Sequence, residues 1–177
     1  MDVVIVLMGV SGAGKTTVGP LLARQLGWGF ADADDAHPAA NVEKMGSGIP
    51  LTDADRAPWL ETLGSLIADW IKSGTSAVLA CSALRHAYRE KLRVDPQVRV
   101  VYLKASPELL SQRLRERRGH YMKKEMLESQ LATLEEPEHA LMVDASQTPD
   151  NIVREIRRRL GLEQDDRSDP DRLKEPQ

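Results

Sequence analysis

Along this chain, short continuous apolar runs alternate with stretches whose apolar residues recur at helical spacing. Val3-Val4-Ile5-Val6-Leu7-Met8 is the first run, of the kind shown by a parallel strand covered on both faces. Val18, Leu21, Leu22 and Leu26 then mark a helix, and Gly27 follows where a C′ glycine ends such a segment. Pro20 interrupts that pattern, since it removes a donor and costs helix stability unless the turn is locally distorted. Gly29 to Ala33 makes a short second strand at the spacing of a βαβ unit. From His37 to Ile49 the pattern is weak and broken by Gly46 and Gly48, which predicts a short helix with a glycine-rich exit; Asp35 and Asn41 are its capping candidates.

The second half of the chain repeats the alternation. Thr52 or Asp53 caps a helix carrying Trp59, Leu60, Leu63, Leu66, Ile67, Trp70 and Ile71, stopped by Ser73-Gly74. The aromatic members of that stripe read as plain core. Ser76 to Cys81 is a third strand, Ala87 to Leu92 a helix, and Arg99 to Leu103 a fourth strand. Pro107 opens a helix through Leu109, Leu110 and Leu114; Met126, Leu127, Gln130, Leu131 and Leu134 suit another. Ala140 to Val143 is a fifth strand, and Ile152, Val153, Ile156 and Leu160 form a last amphipathic helix. Strands alternating with helices predict an α/β domain over residues 1–162, built on a central five-stranded parallel sheet flanked by helices. Glu163 to Gln177 is charged and proline-rich, so a disordered tail is expected there.

Composition narrows the function classes. A chain of 177 residues, 41% hydrophobic with net charge −3, holds one sizeable core. Its basic residues are dispersed except for one short arginine cluster, which argues against a nucleic-acid partner. No apolar run has the length of a membrane span, and Met1-Asp2 leads into the first strand without a basic leader, so a cytoplasmic protein is expected. Cys81 is the only cysteine; it cannot form an intramolecular disulfide and reads as a small buried hydrophobe, with no base apparent to make it a nucleophile.

Between the first strand and the first helix stands Gly9-Val10-Ser11-Gly12-Ala13-Gly14-Lys15-Thr16, which fits the phosphate loop G-x-x-x-x-G-K-[ST]. Glycines let backbone N–H groups close around phosphate, the lysine reaches the outer phosphates and the hydroxyl holds Mg²⁺. A glycine-rich turn formed by chance lacks the strand before and the helix after that are present here. Asp32-Ala33-Asp34-Asp35 closes the second strand, and ligands in open α/β sheets bind beyond the carboxyl ends of strands, so these carboxylates belong beside the loop. Capping alone leaves the doubled D-x-D unexplained. Arg113, Arg115, Arg117 and Arg118 run into Gly119-His120; Arg115 reads as a solvated helix face, whereas Arg117 and Arg118 suit a lid, at about 117–126, that closes cationic groups over phosphates.

Taken together, these motifs resemble the gluconokinase family. Those that carry the resemblance are Met8 to Thr17, Asp32-Ala33-Asp34-Asp35-Ala36-His37-Pro38, Asn41 with Lys44-Met45, and Gly48-Ile49-Pro50-Leu51-Thr52-Asp53-Ala54-Asp55-Arg56 with Pro58-Trp59-Leu60. Ala80-Cys81-Ser82-Ala83-Leu84-Arg85 with Tyr88-Arg89, Arg118-Gly119-His120-Tyr121-Met122, Leu127, Ser129-Gln130 and Leu134-Glu135-Glu136-Pro137 continue it in order, so the match spans Val4 to Leu160. The resemblance implies a three-layer P-loop NTPase fold of nucleoside-kinase type with a short helical lid. It also implies transfer of the ATP γ-phosphoryl group to the 6-hydroxyl of D-gluconate, and a homodimer. Arg85 stands where many members carry lysine, and Lys123-Lys124 where a proline pair is common.

Under that resemblance, Gly9, Val10, Ser11, Gly12, Ala13, Gly14, Lys15, Thr16 and Thr17 take the ATP phosphates with Arg117, and Arg118 joins Lys15 in catalysis. Thr16, with Asp32 through water, holds Mg²⁺. Asp34 is the base for the acceptor hydroxyl, and some of His37, Lys44, Arg56, Arg85 and His120 meet the sugar acid. Shikimate-type and adenylate-type kinases share the loop and the arginine lid, and a nucleotide-gated regulator shares the loop alone; these remain the alternatives.

Overall fold

A computed structural model describes residues 3–116 and 124–163. β1 (Val4–Met8), β2 (Gly29–Asp32), β3 (Ala77–Ala80), β4 (Val98–Lys104) and β5 (Leu141–Asp144) form one parallel sheet in the order β2-β3-β1-β4-β5. β1 is central and wholly buried. Its pleat divides the molecule: Ile5 and Leu7 enter one core, Val4, Val6 and Met8 another. On the first side, α1 (Lys15–Leu26), α5 (Pro107–Glu116), α6 (Lys124–Thr133) and α7 (Pro149–Arg159) supply Leu22, Leu110, Leu127, Ile152 and Ile156. On the second, α3 (Asp53–Lys72) and α4 (His86–Leu92) supply Leu63, Ile67, Tyr88 and Leu92. Helix, sheet and helix layers result, as the alternation of runs predicts.

The departures from expectation lie at element ends. β2 stops at Asp32 rather than Ala33, because the Asp32 carboxylate accepts the Asp34 N–H at 3.0 Å and turns the chain into a single 3-10 turn, Ala33–Ala36. Neither Asp35 nor Asn41 caps α2 (Ala39–Gly46), whose N-cap is Pro38. Asn41 is buried instead and donates to the Asp55 carbonyl. Thr52 settles the start of α3: its hydroxyl accepts from the Asp55 N–H while the Asp55 carboxylate accepts from the Thr52 N–H, a reciprocal capping box. Pro20 is accommodated within α1, which runs on to the left-handed Gly27. The lid expected at about 117–126, including Arg117, Arg118 and His120, lies outside the described residues except for its last three, which open α6. The expected tail beyond Glu163 lies outside them too.

α3 packs tightly on α4 at Gly64, where a Cβ would stand 3.2 Å from the Lys91 carbonyl oxygen. Gly64→Val should therefore lower the urea midpoint by the equivalent of about 1–3 kcal/mol, the range for overpacking against backbone. Gly46→Ala, where a Cβ meets nothing within 4 Å, should leave the midpoint in place. Equal midpoints for wild type and Gly64→Val would show that the two helices are not packed backbone to backbone.

Candidate active site

Between β1 and α1 the chain takes a path that residues with a Cβ resist. Gly9, Gly12 and Gly14 have φ of 155°, 87° and 109°. A Cβ at Gly9 would also sit 3.0 Å from the Leu103 carbonyl oxygen. Gly14 is the N-cap of α1; no side chain caps that end and its first turn carries no acid, an end suited to an external anion. Three side chains hold the loop. Lys15 Nζ donates to the Gly9 and Val10 carbonyls at 2.8 and 3.1 Å. Arg113 Nη1 donates to the Gly12 and Ala13 carbonyls at 3.2 and 3.3 Å while Nη2 donates to the Ala145 carbonyl at 2.6 Å. Gln130 Oε1 accepts from the Ser11 N–H at 2.8 Å, and its Nε2 donates to Ser11 Oγ at 3.2 Å. Beside the loop lies an open groove of about 320 Å³, lined by Gly12, Thr17, Val18, Arg113, Gln147 and Pro149 among others.

β3 lies between β1 and β2, so Asp32 at the end of β2 and Asp34 just after it lie at the same sheet end as the loop. The Asp34 side chain is 79% exposed. Loss of hydration there is the largest cause of a raised pKa and the Asp32 charge adds to it, while Lys15 and His37 pull it down. The His37 side chain is only 5% exposed, with Nε2 at 4.0 Å from Asp34 Oδ1. It lies flat on Trp59, ring centroids 4.3 Å apart. Asn41 Nδ2 reaches His37 Nδ1 at 3.4 Å and can only donate, so Nδ1 accepts and the ring proton sits on Nε2, toward Asp34. Burial lowers the His37 pKa and favours this neutral form. Trp59 Nε1 donates to the Ala33 carbonyl at 2.7 Å. This side chain, expected to be plain core, thus supports the aspartate turn from beneath.

Cationic groups stand beside these residues, for Arg56 is near enough to depress the His37 pKa further. Its Nη1 donates to the Leu51 carbonyl at 2.8 Å and to the Tyr88 hydroxyl at 3.3 Å, and its guanidinium lies over the Tyr88 ring. Arg85 Nη1 donates to Asp53 Oδ2 at 3.1 Å, and the Tyr88 hydroxyl donates to Asp53 Oδ1. Asp53 thereby joins the start of α3 to Arg85 and Tyr88 at the start of α4. Lys44, a sugar-acid candidate from sequence, is committed elsewhere: its Nζ donates to both Asp55 oxygens at 2.8 and 2.9 Å, and these bonds with those from Thr52 hold the Asp55 carboxyl down to about 2. Cys81 is buried, its thiol pushed up to about 12 by desolvation, and so is inert at neutral pH.

Residues 4–137 match the model of the AAA domain family. The gluconokinase of Gluconobacter oxydans is 48% identical over 163 residues, covering 90% of this chain and 92% of that protein. The chain belongs to the gluconokinase family. The thermoresistant gluconokinase of Escherichia coli is 41% identical over 155 residues, 85% of this chain and 89% of that one. Among solved structures, a gluconokinase from Sinorhizobium meliloti superposes with TM-score 0.79 at 42% identity, covering 87% of this chain and 88% of that chain. A sugar kinase from Janibacter superposes at 0.84 with 39% identity, covering 91% and 95%.

Gluconokinase-family membership leaves the individual roles to be read from geometry. The fold brings Lys15, Asp32, Asp34 and His37 close enough to feel one another's charge, with Arg56 beside His37 and Arg85 paired to Asp53 nearby. The roles of Asp53, Tyr88, Arg113 and Gln130 were not signalled by sequence. Asp53, Tyr88 and Gln130 stand inside the family motifs, whereas Arg113 is one member of an arginine cluster to which sequence assigns no separate role.

The raised Asp34 pKa fixes the sign of a stability effect. A carboxyl that binds its proton more tightly folded than unfolded favours the fold at low pH, and that contribution is lost as pH rises from the ordinary carboxylate value through the folded one. At neutral pH, then, the charged form of Asp34 is expected to cost the ligand-free protein a little stability, an effect reduced by its exposure to solvent. Asp34→Asn should raise Tm at pH 7.5, with the gain shrinking toward pH 4 in buffered thermal scans; a lower Tm at pH 7.5 would contradict a strained carboxylate.

Proposed function

We propose that this chain transfers the γ-phosphoryl group of ATP to the 6-hydroxyl of D-gluconate. The observation that carries the reading is the pairing, at one sheet end, of a loop rich in backbone donors with Asp34 and nearby arginines, in a chain of the gluconokinase family. The loop amides from Gly9 to Thr17 with Lys15 receive the β and γ phosphates. The adjoining groove by Arg113 and Pro149 takes the rest of the nucleotide. Arg56 and Arg85 attract the sugar acid's carboxylate, which explains a preference for an acid over a neutral sugar.

Asp34 takes the O6 proton as the bond from O6 to the γ-phosphorus forms and the bond from that phosphorus to the bridging oxygen breaks, releasing ADP. Its raised pKa makes it a better proton acceptor than an ordinary carboxylate, and the His37 ring stands beside it with Nε2 at 4.0 Å. Thr16 and Asp32 would hold Mg²⁺. Among the described residues no group of three or more His, Cys, Asp or Glu could hold a metal. A pair of protein oxygens suits an ion that keeps its waters and takes phosphate oxygens as further ligands. When bound, that ion offsets charge on the transferring phosphates. By family resemblance Arg117 and Arg118 would meet the phosphates and His120 would be a candidate for the sugar acid, within a single kinase domain spanning 1–162. Among the described residues no helix is long and apolar enough to cross a membrane. Homodimerisation and a cytoplasmic location belong to the same proposal; light scattering tests the first.

A coupled ADP-release assay across gluconate, shikimate, AMP and no acceptor should report turnover with gluconate alone, and turnover with shikimate or AMP instead would reassign the acceptor. Lys15→Ala should remove nearly all transfer in a folded protein. Asp34→Asn should keep ATP binding and lose at least about a hundredfold in turnover, the lower range for a positioned acid–base group, far more than Asp35→Asn. If Asp35→Asn were the more damaging, the base would have to be reassigned within the aspartate turn.

A further inference from the structure

The phosphate loop contains three glycines in left-handed conformations, and a segment of that kind is intrinsically mobile unless something holds each peptide. Lys15 holds the first two carbonyls from within, yet it is also the side chain needed at the phosphates. Two tethers come from elsewhere in the chain. Arg113 secures Gly12 and Ala13, and Gln130 secures Ser11 across 119 positions of sequence. The Gln130 contact is two-pronged: its carbonyl oxygen accepts the Ser11 N–H and its amide donates to the Ser11 hydroxyl. A carboxamide suits this pairing because it carries one acceptor and one donor group side by side.

We infer that Gln130 is a positioning residue for nucleotide binding, holding the crown of the phosphate loop in its receptive conformation from α6. The inference rests on the P-loop kinase reading and not on the identity of the acceptor. Ser11 lies at the loop's third position, between Val10, tethered by Lys15, and Gly12, tethered by Arg113. Without Gln130 that peptide alone loses its tether and can pivot between its two held neighbours, and ATP must order it on binding, which weakens affinity for the nucleotide but not for the acceptor.

Three proteins test this: Gln130→Ala, Ser11→Ala and the double variant, each compared with wild type. Titration calorimetry with a non-hydrolysable ATP analogue, in the absence of acceptor, should give a Kd about tenfold higher for Gln130→Ala and about threefold higher for Ser11→Ala. The double variant should resemble Gln130→Ala within about twofold, because the hydroxyl has lost its partner already. KM for gluconate should move by less than about twofold in the same proteins. An unchanged analogue Kd in a folded Gln130→Ala, even with a lower Tm, would reduce the contact to packing and overturn the inference. So would a fully additive double variant. Should Gln130→Ala fail to fold, Ser11→Ala with unchanged Kd still overturns it. Absence of gluconate turnover in wild type would count against the acceptor assignment alone, since the analogue titration needs no acceptor.

Discussion

The site depends first on a backbone conformation that few residues can adopt. From Gly9 to Gly14 the chain passes through positive φ at three positions, and the glycines that permit this also leave it free to depart from it. Rigidity is therefore imported. The loop leaves the end of β1, a strand buried along its whole length, so it starts from a fixed point, and Lys15, Arg113 and Gln130 hold the peptides that follow. Preorganised donors of this kind act without reorganising at the moment of reaction, and for that reason a loop built for phosphate is worth restraining.

Beside it, charge is kept in tension rather than neutralised. Partial loss of hydration and the neighbouring Asp32 charge disfavour ionisation of Asp34, and Arg56 and Arg85 lean on Tyr88 and Asp53. His37 stays neutral between these opposite signs because burial outweighs the pull of Asp34. Such arrangements are typical of places where stability yields to function.

The sheet, its flanking helices and the phosphate loop were legible from sequence because each follows from a local signal: an unbroken apolar run, a helical stripe, a spaced pair of glycines before lysine. Thr52 could be named as a cap candidate, and the carboxylates placed at a strand end, for the same reason. What sequence could not carry was pairing at long range. Nothing local says that Trp59, one aromatic of a core stripe, supports His37 and the Ala33 carbonyl. Nor does it say that Lys44 is committed to Asp55 or that Arg113 folds back over Gly12. Each of these depends on which elements the topology brings together, and charge alone does not distinguish a solvated arginine from a strut.

The two faces of the sheet divide the labour. Tethers of the nucleotide loop come from α5 and α6 on one side, whereas the two arginines and their supports come from α3 and α4 on the other. Because β1 separates two distinct cores, changes that remodel one side need not propagate to the other. A lineage with this architecture can therefore exchange its acceptor chemistry as a block while inheriting its phosphate donor site intact, a modularity that follows from the pleat of one strand.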